Sequence, residues 1–177
     1  DLAAGADTLA VIEHGGGIFG YTTGFWRMPE ESRTIVAMDN TEGDHVEDLI
    51  RDLALILHGE EPDPPKQPVA DVLAAVIDAD GVEAGVARYR ELKATRPDDF
   101  DFSEDQLNDL GYRYLRAGDT ATAVRVFELN VEMFPEAFNP WDSLAEAHLE
   151  AGDRDLAIRH YRKSLELNPA NENARRM

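Results

Sequence analysis

From residue 69 onward, apolar side chains recur at intervals of three and four, the period of a helix with one buried face. Shifting the sequence by 34 residues superposes two segments of this region. Leu107, Leu110, Gly111, Tyr114, Gly118, Asp119, Ala123, Phe127, Asn130 and Pro135 fall on Trp141, Leu144, Ala145, His148, Gly152, Asp153, Ala157, Tyr161, Ser164 and Pro169. In each segment a Gly-Asp pair stops a first helix and a proline closes a second, so each predicts a helix hairpin. A weaker unit precedes them, with Val69, Val72, Leu73 and Val76 on its first helix and Asp80-Gly81 at its turn; Gly85, Tyr89, Leu92 and Pro97 follow on its second. Its offset from the next unit is 38, so about four residues must loop out between Pro97 and Asp105. Three stacked hairpins suffice for the continuous core that a repeat array needs.

Upstream of residue 60 the period changes. Thr34-Ile35-Val36-Ala37-Met38 is a short β-favouring run, and Leu9 to Glu13 and Gly20 to Arg27 also read as strands. Asp44 to His58 reads as one helix, with Val46, Leu49, Ile50, Leu53 and Leu57 on its apolar side, Asp44 as a capping candidate and Gly59 past its end. Glu60, Glu61, Pro62, Asp63, Pro64, Pro65 and Pro68 then form a semi-rigid spacer. The expected fold class is α+β, mostly α: a small antiparallel β piece with a helix over 1–60, a Pro-rich linker over 61–68, and helical repeats over 69–177. The repeats divide into a degenerate unit at 69–98 and two regular units at 104–137 and 138–171.

The residues that carry the repeat resemble the tetratricopeptide pattern: a bulky residue, Leu, a small residue, an aromatic, Gly, Ala, an aromatic, a small residue and Pro. The spacing has a steric reason. Small side chains at Gly111, Ala145, Ala123 and Ala157 let helices cross closely, while Trp141, Phe127 and Tyr161 fill the gaps between them. The resemblance implies an α-solenoid whose first helices line a partner-binding groove. Its positions here are Asn108, Tyr112 and Arg116 in one unit and Asn139, Asp142 and Glu146 in the next. Members that clamp a C-terminal carboxylate pair Lys and Arg with Asn in this groove. Here only Arg116 and the two asparagines match, and a basic or polar partner suits the field better.

His14-Gly15-Gly16-Gly17-Ile18-Phe19-Gly20 admits three readings. Gly15, Gly17 and Gly20 satisfy the dinucleotide-binding spacing, with Asp39 about 20 residues on, yet that site needs a helix next and Tyr21-Thr22-Thr23-Gly24-Phe25-Trp26 favours a strand. A plain glycine-rich turn between two strands is the second. The third is a resemblance, over roughly residues 9–60, to the C-terminal end of the class C β-lactamase-related serine hydrolases, some of which carry tetratricopeptide repeats. It rests on Glu13-His14-Gly15-Gly16-Gly17, an aromatic-Gly-aromatic-Thr-Thr stretch, a strand ending Asp39-Asn40-Thr41 and a long amphipathic helix. It implies that His14, Gly15, Gly16 and Gly17 form an active-site wall, with a backbone N–H near Gly17 donating to an oxyanion. The family's S-x-x-K and Y-x-N motifs are absent from this sequence. Ser32, Ser103, Ser143 and Ser164 are followed three places on by Ile35, Gln106, Glu146 and Leu167, so the resemblance implies an acyl-enzyme hydrolase parent and a chain that by itself only binds.

Charge narrows the partners. With 36 acidic against 17 basic residues the formal net charge is -19, and such a surface repels nucleic acid and anionic membranes. The chain has no cysteine, which excludes disulfides, zinc-thiolate sites, iron-sulfur clusters and thiol catalysis. It starts at Asp1 without a basic or apolar leader, as a trimmed product would. No cofactor or metal is expected: histidines 14, 45, 58, 148 and 160 fall one per element, with His148 and His160 at packing positions. The acidic loop Pro97-Asp98-Asp99-Phe100-Asp101 lacks the ligand order of a calcium loop and is expected to be solvated. The expected partners are a protein or peptide in the repeat groove, the missing hydrolase domain, or a second copy paired through an exposed β edge. The rival to the hydrolase reading is a repeat adaptor whose β piece serves only for pairing.

Overall fold

The computed structural model describes residues 2–4, 7–18, 20–40 and 45–177. The chain divides into two units, Asp1–Pro65 and Lys66–Met177, each with its own apolar core.

In the first unit β1 (Leu2–Ala4) and β2 (Asp7–Leu9) pair as an antiparallel hairpin. A separate antiparallel sheet has the order β3-β4-β5, formed by β3 (Ile12–Ile18), β4 (Tyr21–Met28) and β5 (Arg33–Asp39). The glycine run lies inside β3, opposite Thr22, Thr23 and Gly24. After Ile18 the chain reverses through Gly20 (φ 80) into β4, so the helix that a dinucleotide site requires is not built. A 3-10 turn at Pro29–Glu31 joins β4 to β5.

Helix α1 (His45–Leu57) crosses one face of this sheet. Gly24 sets its approach: a Cβ there would lie 2.5 Å from Ile50 Cδ1 and 2.8 Å from Val46 Cγ1. Val46, Ile50 and Ala54 meet Met28 and Ile35 to form the core. The other sheet face, carrying Ile12, Ile18, Tyr21, Phe25, Val36 and Met38, is exposed. The cap expected at Asp44 lies outside the described residues.

The second unit opens with β6 (Gln67–Pro68) and continues as helix hairpins: α2 (Val69–Asp80) with α3 (Val82–Thr95), α4 (Glu104–Arg116) with α5 (Thr120–Met133), and α6 (Phe138–Glu150) with α7 (Arg154–Leu167). A short α8 (Glu172–Arg176) follows. All four apolar residues expected on the first helix of the degenerate repeat lie on α2. Leu73, Ala74 and Ile77 are buried, whereas Val72 and Val76 are only half-buried. A single glycine, Gly81 at φ 88, joins α2 to α3, where Ala117, Gly118 and Asp119 join α4 to α5.

The extra residues before α4 are not a loose loop. They form β7 (Phe100–Asp101), which pairs in parallel with β6 and buries Phe100. Phe102 packs edge-on to Tyr89 at 5.3 Å, and the Lys93 ammonium sits 5.4–5.9 Å from the rings of Tyr89, Phe102 and Phe134. Pro97, Asp98 and Asp99 of the acidic loop are exposed; Asp99 pairs with Arg96 at 2.7 Å, and Asp101 Oδ1 accepts from the Ser103 N–H at 2.8 Å.

Candidate functional site

Helices α4 and α6 share the repeat core, where Leu107 and Leu110 of α4 are buried in one cluster with Leu144 and Ala147 of α6. Small residues seat each first helix on its own partner: a Cβ on Gly111 would lie 2.6 Å from Phe127 Cζ on α5, and Ala145 is fully buried with Ala157 and Tyr161 of α7. The two first helices therefore run near enough for their polar side chains to bond directly. Asn139 Nδ2 donates to Glu104 Oε1 at 2.7 Å, Ser143 Oγ to Asn108 Oδ1 at 2.7 Å, and Tyr112 Oη to Glu146 Oε2 at 2.7 Å. These three contacts make a ladder along one face, with the Arg116 guanidinium 5.7 Å from the Tyr112 ring at its end.

All six groove residues expected from the sequence lie on α4 and α6, but they are not alike. Asn108, Tyr112, Asn139 and Glu146 are half-buried rungs, Arg116 is exposed, and Asp142 is buried. Asp142 is held by neutral donors: Asn171 Nδ2 reaches Oδ1 at 2.8 Å and Asn173 Nδ2 reaches Oδ2 at 2.7 Å. Asn171 also bonds Ser164 Oγ and caps α8, accepting from the Asn173 and Ala174 amides. Burial pushes the Tyr112 hydroxyl well above the usual tyrosine range, and Glu146 and Asp142 add to the shift. Tyr161 is pushed up to about 12, by burial first and then by the same two carboxylates, and its hydroxyl is buried without a hydrogen-bond partner.

Glu104, Ser143, Asn171 and Asn173 belong to this face and were not singled out from the sequence. One signal was present: Asn173 follows Asn139 by the repeat length. Nothing comparable marks Glu104 or Ser143, whose roles depend on which neighbour they reach.

Beneath the ladder, His160 stacks between Trp141 (5.6 Å) and His148 (5.2 Å). Burial holds the His160 imidazole below its ordinary pKa, with further lowering by His148 and Arg159. His148 Nδ1 is buried without a hydrogen-bond partner, 3.8 Å from Asp153 Oδ2.

The glycine strand is arranged differently. His14 pairs with Phe25, which pairs with Val36, so these three share the uncovered sheet face. Gly15, Gly16 and Gly17 line a cavity of about 340 Å³ with Thr22, Thr23 and Glu47, and Thr23 Oγ1 donates to the Gly16 carbonyl at 3.0 Å. No serine among the described residues lines that cavity. Among the described residues no group of three or more His, Asp or Glu could hold a metal ion, and no helix is long and apolar enough to cross a membrane.

Comparison with known proteins bears on the repeats. A family model described as tetratricopeptide repeat matches residues 138–171. Human Superkiller complex protein 3 is 39% identical over 59 residues, which are 33% of this chain and only 4% of the human protein's length. Among solved structures, the first tetratricopeptide domain of Spaghetti (RPAP3) bound to an HSP90 peptide is 16% identical with a TM-score of 0.42, covering 61% of this chain and 82% of that one. MamA is 19% identical with a TM-score of 0.39, covering 70% and 62%. The matched family model covers none of residues 1–65. Residues 138–171, the hairpin α6–α7, thus match the tetratricopeptide repeat, within a helical array that begins at α2.

Proposed function

We propose that the chain is a protein-interaction module that holds a polypeptide segment on the shared face of α4 and α6. The ladder from Glu104–Asn139 to Tyr112–Glu146 carries this reading. It keeps a row of side-chain donors and acceptors in one orientation while leaving them half-buried, and preordered polar groups lower the entropic cost of binding a peptide. Peptides selected from a displayed library on the full chain should perturb the amide resonances of α4 and α6. Perturbations confined to α5 and α7 would refute the assignment.

A second reading is that residues 1–60 derive from a β-lactamase-related serine hydrolase. What favours it is the arrangement of the first unit. The His14-Gly15-Gly16-Gly17 run lies in an edge strand, two antiparallel strands and a crossing helix follow, and the sheet's second face stays apolar and exposed. In this reading the nucleophile belongs to another segment. Adding an S-x-x-K fragment should restore nitrocefin or p-nitrophenyl ester turnover, and His14→Ala should remove it. Failure in the reconstituted pair would leave the adaptor alone.

A further inference from the structure

Resting on the peptide-binding reading, we infer that the α4–α6 face selects a cationic segment, with two Lys or Arg side chains four residues apart in an extended chain. The first reason is that this face gathers three carboxylates, Glu104, Asp142 and Glu146, whose partners are all neutral. Elsewhere in the unit several carboxylates have a cation beside them: Arg125 for Glu83 and Glu128, Arg90 for Glu132, Arg96 for Asp99 and Lys163 for Glu166. Glu104, Asp142 and Glu146 enter none of the ion pairs found among the described residues. Their polar contacts come instead from neutral amides and a phenol. Neutral donors orient a carboxylate but leave its charge in place, so the face keeps a negative potential that a cation would neutralise.

The second reason is a buried hydroxyl. The Tyr161 hydroxyl, on a side chain only 5% exposed, has no partner and lies within the field of Asp142 and Glu146. A buried hydroxyl without a partner is costly, and its oxygen is free to accept from a donor that enters the face.

Spacing follows from helix geometry. The Glu104 and Glu146 rungs meet α4 at residues 104 and 112, a separation of about 12 Å along the helix. An extended chain rises about 3.3 Å per residue, so side chains four apart cover that span and project on one side.

The test uses the full chain and a fluorescent nine-residue Gly/Ser/Thr peptide with arginine at its third and seventh positions. The same peptide with glutamate there is the comparison. Glu104→Gln with Glu146→Gln keeps the oxygens that accept from Asn139 and Tyr112 and removes two charges. Affinity for the arginine peptide should fall about tenfold, and its salt dependence should flatten. Glu91→Gln with Glu166→Gln removes the same charge from paired, exposed sites and should change affinity less than about twofold. Equal losses in both double variants would overturn the inference, because net charge alone would then explain binding. Failure of the arginine peptide to bind would overturn it too. Binding of the glutamate peptide, lost on Tyr112→Ala, would overturn the cation preference while leaving the peptide-binding reading standing.

Discussion

Replacing Gly111 by alanine tests whether the spacing of α4 and α5 is set by the missing methyl group. A Cβ at this position would lie 2.6 Å from Cζ and 2.8 Å from Cδ1 of Phe127. Ordinary carbon contacts are about 3.5–4.0 Å, so the ring would have to retreat by roughly 1 Å. It has nowhere to go: Phe127 is fully buried, with Tyr112 edge-on at 5.1 Å. Overpacking of this kind costs about 1–3 kcal/mol, and the better helix propensity of alanine returns about 1 kcal/mol. The expected net loss is therefore about 1 kcal/mol, which lowers the melting temperature of a domain this size by roughly 4 °C. Urea and thermal unfolding of the full chain, followed by far-UV circular dichroism, would show a reduced midpoint with an unchanged slope. Phe127→Leu supplies the check, since it removes the ring atoms that clash. In that background Gly111→Ala should become neutral or stabilising, a coupling that additive effects would not produce. A single variant as stable as the parent, with no coupling to Phe127, would refute the argument. The equivalent position in the next repeat is already Ala145, so the prediction is local to the ring opposite, not general to the repeat.

Two histidines should respond to pH in opposite senses. His58 has acceptors at both ring nitrogens, the Ala54 carbonyl at 2.6 Å and Glu31 Oε1 at 2.7 Å, and its pKa is raised, chiefly by that carbonyl and then by Glu31. Its contribution to the first unit is fully present below the unfolded value near 6.5 and is lost as pH rises through the raised one. An imidazole titration by NMR with a midpoint at or below 6.5 would contradict this, and Glu31→Gln should lower the midpoint. His160, with its pKa lowered by burial, contributes to the repeats fully above 6.5, and that contribution is lost as pH falls through the depressed value. Replacing His160 by Gln should flatten the acid limb of the repeats' stability profile, and an unchanged limb would count against the stack as its cause. Asn171→Ala removes the cap of α8 and the donor shared by Asp142 and Ser164, so it should destabilise the repeats by about 1–3 kcal/mol. Unaltered urea unfolding would show that α8 is not seated as described.

Much of the architecture was written in local pattern. The 34-residue repetition, with Gly-Asp at the turns and proline at the closures, predicted α4 to α7, because a hairpin's turn chemistry and helical period are properties of neighbouring residues. The β-favouring run around Ile35 predicted β5 on the same grounds. Helix α2 and its turn at Gly81 were legible in the same way. Phe100 looked like part of a solvated acidic loop, yet its pairing with Gln67 bridges a long stretch of chain, and no local preference encodes such a contact.

The candidate face divides the same way. The resemblance to tetratricopeptide repeats implied Asn108, Tyr112, Arg116, Asn139, Asp142 and Glu146 as groove positions. Tertiary packing decided that four of them are rungs, that Asp142 is buried under two asparagines, and that Glu104 and Ser143 complete the ladder. Hydrogen bonds between helices depend on crossing distance to within a few tenths of an ångström. That distance comes from the core that α4 and α6 share around Leu107, Leu110, Leu144 and Ala147, so periodicity determines which face a residue occupies, and only the packed core determines what it touches.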